Sequence, residues 1–190
     1  MDSTAAATLI ACLDRELWLV TAEAGDHRSG LIATFVHSAS IVPDAPRMVV
    51  GLAKQHRTCE IIESSGAFAL HLLGAQNLDW VWRFGLASGR DGDKFVGLEV
   101  LTGETSSPLL AAAVGWLDCR VESRLDIGDR IVYLGAVVQG NVTQFGPPLT
   151  LKQMLQQAPF DKLQELKRRL HDDSLIDAEA IRLWREPAPR

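Results

Sequence analysis

Lys54, His56, Arg57 and Thr58 fall within five residues of one another, directly after the apolar run Val49, Val50 and Leu52. A strand that delivers an ammonium, an imidazole, a guanidinium and a hydroxyl into one loop suits a phosphate monoester, because charged donors make the stronger hydrogen bonds to it. Upstream, the stretch GLIATFVHSAS from Gly30 to Ser40 mixes small or hydroxylated residues (Ala33, Thr34, Ser38, Ala39, Ser40) with the larger Leu31, Ile32, Phe35 and Val36. Small side chains let backbone amides and hydroxyls approach a ligand without obstruction. Together the two segments describe a place to hold an anion beside a flat ring.

Each of these residues also has a plain structural reading. Lys54, His56 and Arg57 would serve equally in a solvated loop, and Ser38 and Ser40 in satisfying turn backbone. Phe35, Val36, Trp80 and Trp82 read first as core, and His37 and His71 as hydrogen-bonded structural residues without the Asp, Glu or Cys pattern of a metal site. Nucleophilic chemistry is poorly supported, since no Gly-x-Ser-x-Gly elbow occurs and no Cys has a matched His and Asn arrangement. Neither a GxGxxG fingerprint nor a Walker loop is present, so a nucleotide would have to bind without a Rossmann unit.

The elements that must position these groups read as mainly β. Strands are expected at Leu17–Ala22, Leu31–Val36, Met48–Leu52 and Phe68–Leu72, after a short helix or lead-in at Ala5–Cys12. Glu23–Ser29 reads as a turn and Gly89–Asp93 as a loop, from their Gly, Asp and Ser content. Thr58 is placed to cap a helix through Ser64, and Ala75–Leu86 carries Leu78, Trp82 and Leu86 at helical spacing. Trp116–Arg124 and Arg130–Gln139 form an antiparallel hairpin about the Asp126–Asp129 turn. Many short strands with two inserted helices indicate a small closed antiparallel barrel. From Leu149 the texture becomes helical. Capping-box spacing at Thr150/Gln153 and Asp161/Gln164, with a looser version at Ser174/Asp177, predicts three short helices at Leu151–Ala158, Lys162–His171 and Leu175–Arg185, the last burying a face of Ile176, Ala180, Ile181 and Trp184. The expected division is a barrel domain over residues 1–148 and a helical extension over 149–190.

A chain of 190 residues with 47% hydrophobic and 23% charged content can bury a full core and is read as one domain with an appendage. A net charge of −5 argues against a general nucleic-acid surface. Cys12, Cys59 and Cys119 are odd in number and isolated, which suggests reduced, mostly buried thiols. The absence of an apolar run of membrane length, and of a basic region ahead of the N-terminal apolar stretch, points to the cytoplasm.

In order along the chain, the segments resemble the flavin reductase-like family of the FMN-binding split β-barrel. Gly30–Ser40 looks like its small-residue and hydroxyl motif, Pro46–Leu52 like the strand that follows, and Lys54–Thr58 like its phosphate loop. Gly66–Leu73 (GAFALHLL) corresponds to the next strand, Asp93-Lys94-Phe95 to a short Asp-Lys-Phe signature, and Gly128–Val138 to a Gly-Asp-His strand start; roughly Ala11 to Val142 is covered.

The resemblance implies FMN held mainly by backbone and hydroxyl groups. Gly30–Ala33 and Thr34 would lie along the isoalloxazine, Ser38 and Ala39 near the ribityl and phosphate, and Lys54, His56, Arg57 and Thr58 around the phosphate. It implies an oxidoreductase in which the flavin carries the hydride, NADH or NADPH is the donor, and two copies share the groove as a homodimer. Three positions depart from the pattern: Arg130 stands where a histidine facing the nicotinamide is usual, His56 replaces a serine and Ile32 a threonine. Arg130 is thus either a contact for an anionic substrate group or an ion-pair partner of Asp126 or Asp129. It also keeps open a second reading, a flavin- or haem-binding module that serves a partner with little turnover of its own. A structural barrel without cofactor is the third.

Overall fold

The computed structural model describes residues 3–90 and 92–186; Asp91, within the expected Gly89–Asp93 loop, lies outside the described residues. After helix α1 (Ser3–Cys12), β1 (Trp18–Ala24) and β2 (His27–Ala33) form the first hairpin. Its register, Ala22 opposite Ser29 and Ala24 opposite His27, draws most of the expected Glu23–Ser29 turn into strands and leaves Gly25 and Asp26 as the turn. Next come β3 (Val36–Ser38), β4 (Arg47–Ala53), α2 (Arg57–Ser65) and β5 (Ala67–Leu72). The helix expected over Ala75–Leu86 divides into a single 3-10 turn, Ala75–Asn77, and α3, Leu78–Gly85. A small hairpin that periodicity does not reveal, β6 (Val100–Thr102) with β7 (Pro108–Leu110), precedes the long hairpin β8 (Gly115–Asp126) and β9 (Arg130–Val142).

Seven strands form one antiparallel sheet in the order β2-β1-β5-β8-β9-β4-β3. The two edge strands, β2 and β3, are consecutive in the chain and separated only by Thr34 and Phe35. The sheet therefore curls until its edges meet at that connection. Register shifts in the β8–β9 pair between Asp118 and Cys119 and between Val121 and Ser123 supply local bends that add to the natural twist. The concave face is packed with Val20, Leu31, Val36, Val50, Leu52, Phe68, Leu70, Ile131 and Tyr133, and Cys59, Ile61 and Ile62 of α2 belong to the same core. A second core, of Leu17, Leu19, Leu73, Val81, Phe84, Phe95 and Leu110, lies around α3.

Past the barrel, the chain returns to the start of β1. The Leu17 amide donates to Leu149 O at 2.9 Å, the Leu149 amide to Leu73 O at 2.7 Å and the Leu151 amide to Arg15 O at 2.8 Å. Helix α4 (Leu151–Gln157) opens with the expected Thr150/Gln153 capping box. The other two expected helices are one, α5 (Phe160–Arg185), of 26 residues. No Gly or Pro interrupts it, and the Ser174 hydroxyl, read as a cap, donates back to His171 O within the helix at 2.7 Å. Pairs such as Arg168–Glu165, Arg168–Asp172 and Arg182–Glu179 run along its surface. The expected buried face is also corrected: no residue of α5 is buried, and Ile176 and Trp184 are 52% and 55% exposed.

Inside the sheet, His71 is fully buried. The Leu110 amide donates to its Nε2 at 3.0 Å, so Nδ1 carries the proton and donates to Leu19 O at 3.1 Å. One imidazole thereby ties β1, β5 and β7. Desolvation holds its pKa down at about 4, and the backbone carbonyl of Leu19 only partly offsets that. A histidine depressed in the fold is neutral there, while the unfolded chain binds the proton. Its stabilisation is complete above the unfolded value near 6.5 and is lost progressively as pH falls toward 4. Lowering pH from 7 to 5 is expected to remove on the order of 2 kcal/mol through this group. Urea denaturation across that window checks it, and His71→Gln should lack this part of the pH slope whatever its own stability.

Candidate functional site

A groove of about 670 Å³ runs along the outside of β2, within the roughly 300–1,000 Å³ usual for small-molecule sites. Its floor is Ser29, Gly30, Leu31 and Ile32; one end is Gln55, His56, Arg57 and Thr58 at the start of α2, and the opposite side is Trp82, Phe84 and Leu86 of the α3 region. The loop Ala87–Arg90 closes one flank, Lys94 lies beneath, and Leu166, Arg168, Arg169, Asp172 and Asp173 of α5 form the outer side.

The end at α2 gathers hydrogen-bond donors and cationic side chains. His56 is the N-cap in an extended conformation, and no side chain caps the helix. The Cys59 amide donates to His56 O at 3.0 Å, which leaves the Arg57 and Thr58 amides as the helix-start donors, and the helix dipole adds positive potential there. Thr58, 1% exposed, donates through Oγ1 to Ser29 Oγ at 3.1 Å, which fixes the helix start against β2. Arg57 Nη1 lies 2.8 Å from Glu60 Oε2, and Arg90 pairs with the same carboxylate while donating to Gln55 O at 3.1 Å. Arg57 and then Arg90 hold the Glu60 carboxyl below its ordinary value. At position 89 a Cβ would sit 2.3 Å from Ser29 Oγ, so only glycine lets this flank close onto the floor.

Of the residues singled out from sequence, Gly30, Thr34, His56, Arg57 and Thr58 come together in the groove. Ala33, Ser38, Ala39 and Lys54 are not among its lining. Ala33 is buried in the barrel core, and Ser38 Oγ donates to Ser40 O at 3.1 Å within the turn. The Ala39 amide donates to Arg47 O at 2.8 Å. Lys54 Nζ turns to the β8–β9 hairpin and lies 2.9 Å from Asp126 Oδ2, an exposed pair. Arg130 is paired: its Nε is 3.1 Å from Asp129 Oδ2 and its Nη2 donates to Asp177 Oδ2 at 2.9 Å. Asp129 is one of the partners expected for it; Asp177 is a new one, reached only through α5.

Other lining residues carried no individual signal in the sequence, among them Ser29, Gln55, Arg90 and the α5 residues. Lys94 did carry one, the Asp-Lys-Phe run, but without a role. Its side chain is buried, and Nζ donates to Gly30 O at 2.8 Å and to Phe84 O at 3.1 Å, 5.9 Å from the Phe84 ring centroid. Asp93 pairs with Arg28, whose guanidinium sits 5.0 Å from the Phe95 ring centroid. The three-residue run therefore clamps β2 to α3 and to the loop below. Among the described residues, no group of three or more His, Cys, Asp or Glu could hold a metal ion.

The model of the flavin reductase like domain matches residues 10–155, which include every strand of the barrel and the whole floor of the groove. The chain belongs to that family. Relatives within it include the high molecular weight rubredoxin of Moorella thermoacetica, 31% identical over 136 residues, with 70% of this chain and 58% of that protein covered. The ferric-chelate reductase (NAD(P)H) of Archaeoglobus fulgidus is 29% identical over 136 residues, covering 70% of this chain and 79% of the relative. The chain thus spans little more than half the length of the first and most of the second. Among solved structures, nitrilotriacetate monooxygenase component B from Mycobacterium thermoresistibile shares the fold with a TM-score of 0.68 at 24% identity, over 78% of this chain and 82% of that one. The observed sheet is the mainly β split barrel of this flavin-binding oxidoreductase family.

His56 marks the electrostatics of the groove. Burial pushes its pKa below the ordinary 6.5, Asp173 and Asp177 of α5 oppose the shift, and Arg130 and Lys94 reinforce it. His56 is therefore expected to titrate below 6.5 by NMR. Asp173→Asn should lower that titration further, because it removes a carboxylate that favours the imidazolium.

Proposed function

We propose that the protein binds FMN in this groove and acts as a flavin reductase-type oxidoreductase, with NADH or NADPH as hydride donor. The observation that carries this reading is the pairing of a capless, donor-rich α2 terminus with a floor of small and apolar β2 residues, in a chain of the flavin reductase family. When bound, the flavin supplies the hydride chemistry. The protein's residues bind and orient. The Arg57 side chain and the backbone amides of Arg57 and Thr58 at the start of α2 would take the phosphate, while the Thr58 hydroxyl stays with Ser29. The backbone of Gly30–Ile32 would flank the ring system, and Trp82 and Phe84 would keep water from it. Lys94, whose Nζ donates to Gly30 O and Phe84 O beneath the floor, would place a cation near the bound ring and so favour added electron density there.

A second reading is an electron-transfer module that binds flavin, or haem, for a partner and turns over little on its own. It is favoured by Arg130, whose guanidinium is held by Asp129 and Asp177, and by the rubredoxin relative, of which this chain matches only a part. Steady-state oxidation of NADH and NADPH with added FMN separates the two readings.

The remaining expectations belong to the same proposal. Residues 1–148 would be the flavin domain and 149–190 an extension. The compartment would be the cytoplasm; among the described residues no helix is long and apolar enough to cross a membrane. The protein would be a homodimer, for which Ile41, Val42 and Phe145, 100%, 53% and 98% exposed, offer apolar contact surface. Light scattering at micromolar concentration is expected to give twice the chain mass.

Arg57→Ala is expected to weaken FMN by tenfold or more while leaving riboflavin nearly unchanged, since a charge-assisted hydrogen bond contributes about 1.5–3 kcal/mol. Fluorescence titration with both ligands checks it. Equal losses would remove this loop from the phosphate site.

A further inference from the structure

Helix α5 lies beyond residues 10–155 of the family match, so its place over the groove is an addition to the common domain. It is held at separated points. Near its start, Leu166 packs against the core around Phe84 and Leu17. Further on, Asp177 accepts from Gln55 Nε2 at 3.1 Å through Oδ1 and from Arg130 Nη2 at 2.9 Å through Oδ2. At its far end Trp184 lies over the β8–β9 turn, where a Cβ on Gly128 would be 2.9 Å from Trp184 Cβ and the backbone φ is +101°. Only glycine fits that position, so the turn accepts the indole by having no side chain of its own.

Between the first two ties, Arg168, Arg169, Asp172 and Asp173 face the groove. The eleven residue steps from Leu166 to Asp177 span about 16 Å of helix. With no buried residue, α5 contributes little to the hydrophobic core, yet it is docked through a carboxylate shared by two side chains of the loop and barrel. A helix fixed at its ends with its middle over a cavity is a wall. The groove keeps its volume of about 670 Å³ with that wall in place, so α5 encloses the space without filling it.

We propose that α5 is the outer wall of the flavin site, and that its tie through Asp177 makes the flavin a resident cofactor that leaves slowly. This rests on the flavin reading of the groove. Removal of the tie opens the groove toward solvent and speeds release. Arg130, on this account, acts through Asp177 and is a positioning residue for the wall.

The test uses the full chain loaded with FMN. Release is followed by the recovery of free-FMN fluorescence on dilution, in the wild type and in Asp177→Ala, Asp177→Asn and Trp184→Ala. Release is expected to be at least tenfold faster in Asp177→Ala and faster in Trp184→Ala, with Asp177→Asn intermediate because its amide oxygen still accepts one bond. Melting temperatures of the flavin-free variants should stay close to the wild type, since α5 adds no buried residue. Hydrogen exchange of the wild type gives a measurement independent of any variant: amides from 166 to 177 should gain protection when FMN is added. Unchanged release in variants that bind FMN, or no gain of protection, would overturn this inference alone. A wild type that takes up no FMN would overturn it together with the function proposed above.

Discussion

The groove depends on one buried contact, the hydrogen bond from Thr58 Oγ1 to Ser29 Oγ. It joins the first turn of α2 to the edge strand β2, so a helix terminus that belongs to the barrel core and a strand that belongs to the sheet edge meet at a fixed distance. Both hydroxyl-bearing residues are almost inaccessible to solvent, which makes the bond costly to break without a replacement partner. Gly89 is packed against the same serine, and the cationic side chains of Arg57 and Arg90 are then gathered on Glu60 beside it. Apolar packing of Cys59, Ile61 and Ile62 with Leu31 brings the helix to the strand, and this contact sets the position of its first turn against the groove floor.

Lys94 performs the corresponding task from below. A buried ammonium bound to the carbonyls of Gly30 and Phe84 couples the floor of the groove to α3, and it brings a positive charge close to the apolar part of the site. The polar groups around the groove are thus divided between two duties. Thr58, Ser29 and Lys94 hold elements together, and Arg57, Arg90 and the helix amides present positive potential. Lys54 and Arg130, cationic in sequence and near the same loop, are directed to Asp126 and to Asp129 and Asp177 instead. An exposed pair such as Lys54–Asp126 adds little to stability, so its effect is chiefly to set where the side chain points.

Much of the barrel is legible in the chain because its signals are local. Alternation around β8 and β9, the apolar run of β4 and the Thr150/Gln153 capping box each need only a few neighbouring residues to act. The failures are also physical. The Ser174/Asp177 spacing looks like a cap, but in an uninterrupted helix the serine hydroxyl bonds back along the helix and the aspartate is taken by Gln55 and Arg130. The short β6–β7 hairpin has too few residues for a periodic signal, and the Glu23–Ser29 turn shrinks because strand pairing recruits polar residues that composition assigns to a loop.

By itself the sequence determined the mainly β architecture and the order of its segments, and it singled out five residues that line the groove, Gly30, Thr34, His56, Arg57 and Thr58. These follow from side-chain volume, hydrogen-bonding capacity and spacing, which are properties of short stretches. The tertiary structure decided which of the neighbouring candidates reach the groove. Ser38, Ala39 and Lys54 sit close in sequence to the lining residues but find partners elsewhere, while Lys94, Arg90 and the α5 residues arrive from positions far along the chain. That selection is made by the curl of the sheet and by charge pairing across long sequence separations, and neither is encoded in any local pattern.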